Sequence, residues 1–386
     1  MDDLFTKAEY EGRLRRARTL MSAAGMDALL LTAPRNLTYL TGYRTNLFSS
    51  TFRPFTALIP LESDPVLLLP NLEVWQGEGT GWIADVRGWG TGMGSVARDP
   101  LELIKIAVDE TRVSAGRIGV EQSRGQRVGM TLEQYGQLQR LLPAATWLDS
   151  APLMWDLRVV KSPQEVAYMR EACRITDAGI VAALETLREG VTERELQVVM
   201  GTTMMREGAD TVRSLSIASG PQRYAMLNAP ATSRALRPGE MVTFDCGAVY
   251  NGYHGDLTRG YFIGEVNDRQ RQFYEASLEI FWEAIRAVRP GVTCEDVDRV
   301  AEEAIVRRGY REYMLHRTGH SLGMEVHEEP SIGPGVKVPL RPGMVLAVEP
   351  GIYDFTIGAF RNEDNVVVTE SGCDLLSNAP RELIVR

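Results

Sequence analysis

The second part of the chain carries an internal repeat, which limits the possible folds more than any other feature of the sequence. Segments 190–208 and 291–309 both begin with Gly-Val-Thr, end in glycine and span 18 positions (208 − 190 and 309 − 291). A Leu-Arg-Pro-Gly turn follows each segment, at 236–239 and at 340–343, and leads into an apolar run. A turn alone can recur by chance, whereas a helix, a turn and a strand that recur in order favour a duplication. We therefore predict two similar halves that face one another across a pseudo-twofold axis.

Each of the two repeated strands carries one acidic residue. Asp245 and Glu349 lie six positions after the last glycine of the preceding turn (245 − 239 and 349 − 343). A second acid follows in each half. Asp256 lies beyond a predicted turn at 251–252, and Glu363 precedes a further apolar strand. A single carboxylate is usually a salt-bridge partner or a charge at a strand end, and burying it alone is costly. Four acids at repeated positions instead predict a cluster that binds metal ions.

Histidines are concentrated in one short part of the second half, after the segment 291–309 and before Glu349. Three of the four histidines in the chain, His316, His320 and His327, fall within residues 316–330. One histidine alone is more often a core residue, but three beside several glycines predict a functional site. Four carboxylates and one imidazole suit Mn²⁺ or a similar divalent ion better than a metal that prefers thiolates. Two bridging carboxylates can hold two ions roughly 3.5–4 Å apart, a spacing that activates a shared water.

Composition and charge exclude several classes of protein. The net charge of −9 argues against a nucleic-acid-binding surface, and no apolar run approaches transmembrane length. The acidic start of the chain lacks the layout of a signal peptide. The cysteines form no CxxC pair and are expected to be reduced core residues; they are Cys173, Cys246, Cys294 and Cys373. We therefore predict a cytoplasmic protein without nucleic-acid or membrane partners.

The first part of the chain has the pattern of a mixed α/β domain. Helices are predicted at 8–24 and 131–142; strands are predicted at 27–32, 55–60, 65–70 and 116–121. Residues 148–161 are interpreted as a connector, and we place the domain boundary near residue 155. The sequence Ser162-Pro163-Gln164-Glu165 then predicts the start of a long helix, because serine can cap it and proline suits its first position.

Several short motifs resemble those of the pita-bread metallopeptidases, in particular the Xaa-Pro peptidase branch of prolidase and aminopeptidase P. These motifs are Phe244-Asp245-Cys246-Gly247, Asp256-Leu257-Thr258-Arg259, Gly319-His320-Ser321-Leu322-Gly323, Val348-Glu349-Pro350-Gly351 and Arg361-Asn362-Glu363-Asp364. The segment 157–165 also resembles the entrance to the catalytic domain of that family. The resemblance implies an α/β (α+β) protein. A creatinase-like domain at 1–155 would serve substrate gating and dimerisation, and a duplicated pita-bread catalytic domain would occupy 156–386.

The resemblance also implies site residues and a function. The expected metal ligands are Asp245, Asp256, His320, Glu349 and Glu363, with Asp256 and Glu363 bridging two divalent ions. Mn²⁺ is the favoured ion, with Zn²⁺ or Co²⁺ as alternatives. Expected catalytic residues are Glu349, which would assist proton transfer, and His327. His316 and Arg361 are expected to bind substrate. The implied activity is cleavage of the bond before proline in short peptides, preferably dipeptides, by a homodimer.

Asn228 and the polar loop 41–53 leave alternatives open. Asn228 stands 17 residues before Asp245, where the peptidases usually have a substrate-site histidine, and asparagine cannot carry a proton at neutral pH. Another small-molecule hydrolase or lyase on the same site, such as an ectoine-type hydrolase, therefore remains an alternative, as does an aminopeptidase P acting on longer peptides. A non-catalytic binding protein would be expected to have lost ligands. Arg44 or Arg53, in the polar loop 41–53, is either a clamp for the substrate carboxylate or an ordinary surface arginine.

Overall fold

The computed structural model describes residues 4–50 and 52–386. The chain forms two compact units that divide between Arg158 and Val159. Both units combine helices with β-sheets, as the predicted α/β class requires.

The first unit is built on one seven-stranded sheet. Its helices are α1 (Lys7–Ala24), α2 (Pro34–Thr41), α3 (Val74–Thr80), α4 (Pro100–Glu110), α5 (Leu132–Leu141) and α6 (Ala151–Arg158). Its strands are β1 (Ala28–Leu31), β2 (Thr56–Pro60), β3 (Val66–Pro70), β4 (Asp85–Trp89), β5 (Ser95–Ala97), β6 (Arg117–Val120) and β7 (Thr146–Asp149). The strand order is β5-β4-β3-β2-β1-β6-β7, in which β2 is antiparallel to both neighbours and the other pairs are parallel.

The helices and strands predicted for the first unit are confirmed, but the connector at 148–161 is wrong. Most of that segment is helix α6, whose side chains Leu153, Met154 and Trp155 are buried. The side chain of Asp149 accepts a hydrogen bond from the amide of Ala151, at 3.0 Å, and so satisfies a donor at the start of the helix. A helix of eight residues depends on such burial more than on its own propensity, which explains why the sequence pattern did not predict it.

The second unit contains four long helices and three small sheets. Its helices are α7 (Pro163–Thr186), α8 (Glu193–Arg206), α9 (Asp268–Ala287) and α10 (Cys294–Arg307). Its strands are β8 (Thr211–Ser219), β9 (Met241–Tyr250), β10 (Tyr253–His254), β11 (Leu257–Phe262), β12 (Gly319–Ser321), β13 (Glu328–Ile332), β14 (Val345–Val348), β15 (Gly351–Asp354), β16 (Gly358–Arg361), β17 (Asp364–Val368) and β18 (Cys373–Leu375). One sheet contains β8 to β11, a second has the order β13-β12-β14-β17-β18, and β15 pairs with β16.

The two halves of the second unit repeat the same helix, turn and strand. Thr192 caps α8 and Thr293 caps α10, each through a reciprocal capping box, and both helices have 14 residues. The amide of Leu236 donates to the carbonyl of Val191 at 2.8 Å, and the equivalent bond from Leu340 to Val292 has the same length. The Leu-Arg-Pro-Gly turns therefore return to the start of the preceding helix in both halves before β9 and β14 begin.

The two halves meet where β11 and β17 begin. The amide of Glu363 donates to the carbonyl of Thr258 at 3.2 Å. The side chain of Asn365 forms two bonds with the backbone of Asp256, each of 2.9 Å. A fully buried ion pair between Arg259 and Asp364, at 2.7 Å, reinforces this junction. These contacts hold Asp256 and Glu363, one acid from each half, beside one another.

Candidate metal centre

The four predicted acids lie on or beside strands of both halves. Asp245 is in the middle of β9, opposite Thr258 of β11, and Asp256 occupies the short link between β10 and β11. Glu349 directly follows β14, and Glu363 lies between β16 and β17. Each acid thus lies on or next to a strand paired in a sheet, which limits its backbone movement.

Three of the predicted ligands form a compact group. One ligand atom from each of Asp256, His320 and Glu363 lies within 4.8 Å of the others, and all three residues are buried. The Nε2 atom of His320 is 3.7 Å from Oδ2 of Asp256 and 3.5 Å from Oε1 of Glu349. A ring nitrogen therefore points at carboxylate oxygens from both halves.

The electrostatics of this group suit a divalent cation. Burial raises the pKa of Asp256 well above its usual range, and the neighbouring Glu363 and Asp245 carboxylates raise it further. Burial and then the Glu349 carboxylate raise the pKa of Glu363 in the same way. Burial also lowers the pKa of His320 to about 3, which keeps its imidazole neutral and able to bind a metal. Buried oxygen donors and one neutral imidazole fit Mn²⁺ or a similar ion.

Arg361 contacts the same carboxylates. Its guanidinium donates to Oδ2 of Asp245 and lies 3.3 Å from Oε2 of Glu349 and 3.9 Å from Oε2 of Glu363. It also donates to the hydroxyl of Thr258 at 2.8 Å, and that hydroxyl donates to Glu363 at 2.6 Å. Arg361 and Thr258 therefore orient the carboxylates of both halves. Binding of substrate by Arg361 stays a prediction.

The other two clustered histidines lie at different edges of this group. The ring of exposed His327 lies 4.2 Å from that of His320, measured between centroids. Burial lowers the pKa of His327, and the positive charge of Arg317 lowers it further. The Nε2 atom of His316 is 2.6 Å from the hydroxyl of Tyr353. Burial lowers the pKa of His316 to about 4.

One cavity of about 280 Å³ connects these residues. Its lining includes every site residue that was predicted in the second unit, and three others. The lining residues are Leu227, Asn228, Asp245, Asp256, His316, Arg317, His320, Val326, His327, Glu349, Arg361 and Glu363. The two candidates for the carboxylate clamp, Arg44 and Arg53, belong to the first unit, where the backbone of Arg44 bonds to Thr80 and Gln76. The carboxylate clamp stays a prediction.

Thr258 and Tyr353 were not among the predicted site residues. A signal existed for both, because Thr258 lies in the Asp-Leu-Thr-Arg motif and a tyrosine follows the repeated acid in each half, Tyr250 after Asp245 and Tyr353 after Glu349. Their partners, Glu363 and His316, are distant in sequence, so the pattern alone did not pair them.

Comparison with known proteins agrees with this architecture. Residues 13–160 match the Creatinase/Prolidase N-terminal domain, and residues 167–370 match metallopeptidase family M24. The chain belongs to metallopeptidase family M24. The resemblance to the pita-bread metallopeptidases and the predicted two-domain fold are thereby confirmed.

Individual relatives extend along almost the whole of this M24 protein. It is 31% identical to a Xaa-Pro dipeptidase from Lactobacillus delbrueckii subsp. lactis over 94% of this chain and 95% of the relative. The solved structure of a Xaa-Pro dipeptidase from Bacillus anthracis is 28% identical, with a TM-score of 0.86 over 98% of this chain and all of the other. An X-Pro aminopeptidase from Thermotoga maritima is 27% identical, with a TM-score of 0.84 over 97% of this chain and 99% of the other.

Over the described part of this M24 protein, every helix is too short or too polar to cross a bilayer.

Proposed function

We propose that this M24 protein is a dinuclear-metal Xaa-Pro peptidase that cleaves the bond before proline in short peptides, preferably dipeptides. The observation that carries the proposal is the single cavity in which four carboxylates, three histidines and Arg361 converge. Relatives named Xaa-Pro dipeptidase support the same activity. We further expect a cytoplasmic homodimer.

The proposed ligands for two divalent ions, with Mn²⁺ favoured, are Asp245, Asp256, His320, Glu349 and Glu363, of which Asp256 and Glu363 would bridge. When bound, such ions make a water molecule more acidic and act as Lewis acids toward the substrate carbonyl. Thr258 and Asn365 would keep the two bridging acids in place, because they bond to the Glu363 carboxylate and to the backbone of Asp256.

The remaining residues of the cavity would move protons and hold the peptide. Glu349 lines the cavity beside the other proposed ligands, and its carboxylate would accept a proton from the attacking water. That proton would pass to the proline nitrogen as the C–N bond breaks. His327 lies at the exposed side of the centre, where its imidazole can donate a hydrogen bond to the developing oxyanion. His316, held by Tyr353, would bind the substrate.

The substrate requirement follows from the chemistry of proline. A Xaa-Pro bond has no amide hydrogen, and the ring fixes φ near −65°, so a general peptidase site that binds the amide hydrogen fits it poorly.

A substrate panel with added Mn²⁺ tests the proposal. Ala-Pro and Gly-Pro should be hydrolysed, Ala-Pro-Ala should be cleaved less efficiently, and treatment with a chelator should abolish both activities. Release of the N-terminal alanine or glycine is the measurement, because cleavage before proline frees that residue from dipeptides and tripeptides alike. Preferential cleavage of the tripeptide would indicate an aminopeptidase P, and the absence of cleavage of every proline peptide would contradict the proposal.

Asn228 favours a second candidate, a different small-molecule hydrolase or lyase on the same metal site. Asn228 lines the cavity but cannot exchange a proton as histidine does. Ectoine therefore belongs in the panel. If the protein is a Xaa-Pro peptidase, Asn228→His should preserve or increase hydrolysis of Ala-Pro. If the second candidate is right, the variant should lose the native activity and gain no peptidase activity.

A further inference from the structure

A buried ion pair that the proposed chemistry does not use lies behind the histidines of the metal centre. The Nζ atom of Lys161 is 3.3 Å from Oε2 of Glu328, and each side chain is only 1% exposed. Lys161 precedes the cap of α7, whereas Glu328 begins β13 and directly follows His327. The pair thus connects the entrance of the second unit with the segment that carries a proposed catalytic residue.

The ammonium group of Lys161 also contacts the strand that carries His320. Its Nζ donates to the hydroxyl of Ser321 at 3.3 Å, and Ser321 is the residue after His320 on β12. Ser321 lies opposite Glu328 at a point where the register between β12 and β13 shifts. Regular strand pairing does not set the spacing of the two strands at this irregularity, and Lys161 contacts both of them there.

The side chain of Glu328 also stabilises the turn that contains His327. Its Oε1 atom accepts a hydrogen bond from the amide of Glu325 at 3.1 Å. This bond closes residues 325–328, of which Val326 and His327 line the cavity. The packing has little spare room, because a Cβ atom added at Gly323 would lie 2.9 Å from Oε2 of Glu328 and 3.0 Å from Cε of Lys161.

Stability alone does not explain the presence of a buried ion pair of this kind. Two charges lose their hydration on burial, and replacing such a pair by apolar side chains of similar volume is often neutral or stabilising. Buried polar networks, in contrast, can hold a unique geometry. The contacts of the Lys161 ammonium end at Ser321 and Glu328, each one residue away from a histidine, and the rings of those histidines, His320 and His327, are 4.2 Å apart.

We propose that Lys161 is a positioning residue, which through Ser321 and Glu328 sets the position of His327 relative to His320. The proposal rests on the proposed function, because His327 matters for rate only if the cavity catalyses hydrolysis. Lys161 is not among the residues that line the cavity, and it would act through its contacts with Ser321 and Glu328.

Kinetics of a double variant test the proposal. Lys161→Met alone leaves a buried carboxylate without its cation and is expected to lower Tm. Lys161→Met combined with Glu328→Met removes both charges and should restore Tm, while kcat for Ala-Pro at saturating Mn²⁺ stays roughly 10- to 100-fold below the wild type and KM changes little. Leu196→Ala, a fully buried position on α8, is the control, since it lowers Tm but should leave kcat unchanged.

Recovery of both Tm and kcat in the double variant would overturn the proposal, because the pair would then serve folding alone. If the double variant does not fold, Glu328→Gln decides the matter. Glutamine keeps an acceptor for the Glu325 amide but loses the charge, and kcat should fall below that of the wild type. A wild-type kcat in Glu328→Gln would then overturn the proposal.

Imidazole NMR separates this proposal from the proposed function. The chain has only four histidines, so a ¹⁵N-histidine spectrum of the Zn²⁺-loaded protein contains few signals. The double variant should shift the signals of His327 and His320 and leave that of His316 in place, whether or not any peptide is hydrolysed. Unchanged His327 signals would overturn the positioning role, whereas shifted signals without hydrolysis of any proline peptide would overturn only the proposed function.

Discussion

Asp256 and Glu363 are the residues whose surroundings most favour a bound cation. Both are buried, and bonds to Asn365 and Thr258 prevent them from moving apart. Burial, reinforced by neighbouring carboxylates, raises the pKa of both groups. A divalent ion would relieve this repulsion without any rearrangement of the strands, which is the advantage of a site preorganised by its backbone.

Removing one charge from either bridging acid should reduce metal binding. The protein reconstituted with Mn²⁺ should hold about two ions per chain. Asp256→Asn and Glu363→Gln should lower that number, because an amide is a weaker ligand and carries no charge. Elemental analysis after gel filtration is the measurement. Asp177→Asn is the matched control, since Asp177 bonds to the amides of Asn378 and Ala379 and lies outside the cavity lining. Full metal content in both bridging variants would rule out the bridging assignment.

The histidines should separate into a catalytic and a binding group. His327→Ala should lower kcat for Ala-Pro by about 10²-fold with metal content retained, as expected for loss of a general acid–base or oxyanion-stabilising group. His316→Ala should mainly raise KM, because His316 is fixed by Tyr353 at another edge of the cavity. Steady-state kinetics at saturating Mn²⁺ measure both effects. An effect of His327→Ala on KM alone would assign that residue to binding.

At the scale of elements, the repeated capping boxes determine where the two halves begin. The amide of Glu195 donates to the hydroxyl of Thr192, and the amide of Asp296 donates to that of Thr293, each at 3.1 Å. The turns before β9 and β14 return to these same helix starts. In each half, equivalent bonds therefore hold the start of the helix and the turn that leads into the next strand.

The two caps should contribute similarly to stability. Thr192→Ala and Thr293→Ala should each lower the free energy of unfolding by about 1 kcal/mol, the usual effect of losing an N-cap hydroxyl. Urea denaturation measures the change. Thr293→Ser is the control, because serine retains the hydroxyl and should retain most of the stability. A stability of Thr293→Ala equal to that of wild type would show that the second cap is dispensable.

At the scale of the whole molecule, the first unit is expected to influence which peptide is accepted. A guanidinium pairs with a free carboxylate through two parallel bonds, and a dipeptide presents its carboxylate where a longer peptide continues. The candidates remain Arg44 and Arg53, both in the loop that follows α2.

Substitution of the correct arginine should affect dipeptides selectively. Arg44→Ala or Arg53→Ala should lower kcat/KM for Ala-Pro by roughly 10- to 100-fold, and that for Ala-Pro-Ala by much less. The paired measurement uses both substrates on the wild type and on each variant. Equal losses for the two substrates, or no loss in either variant, would eliminate the carboxylate clamp.

The sequence by itself determined the family, the repeated helix, turn and strand of the second unit, and most of the residues that line the cavity. These features follow from local rules. Capping patterns mark helix starts, an apolar run marks a buried strand, and a repeated acid in such a run has to find a partner. Asp245 and Glu349 could be singled out because each interrupts an apolar run of sequence six residues after the last glycine of the preceding turn.

Only the tertiary structure decided the contacts between residues that are far apart in the chain. Arg361 and Asp245 are separated by 116 positions, and Lys161 and Glu328 by 167. No periodicity relates such residues, so their pairing depends on how the strands pack. Helix α6 is stabilised by burial in the same way and was missed for that reason. The pattern of apolar and acidic residues thus predicts which side chains gather, whereas packing decides which of them touch.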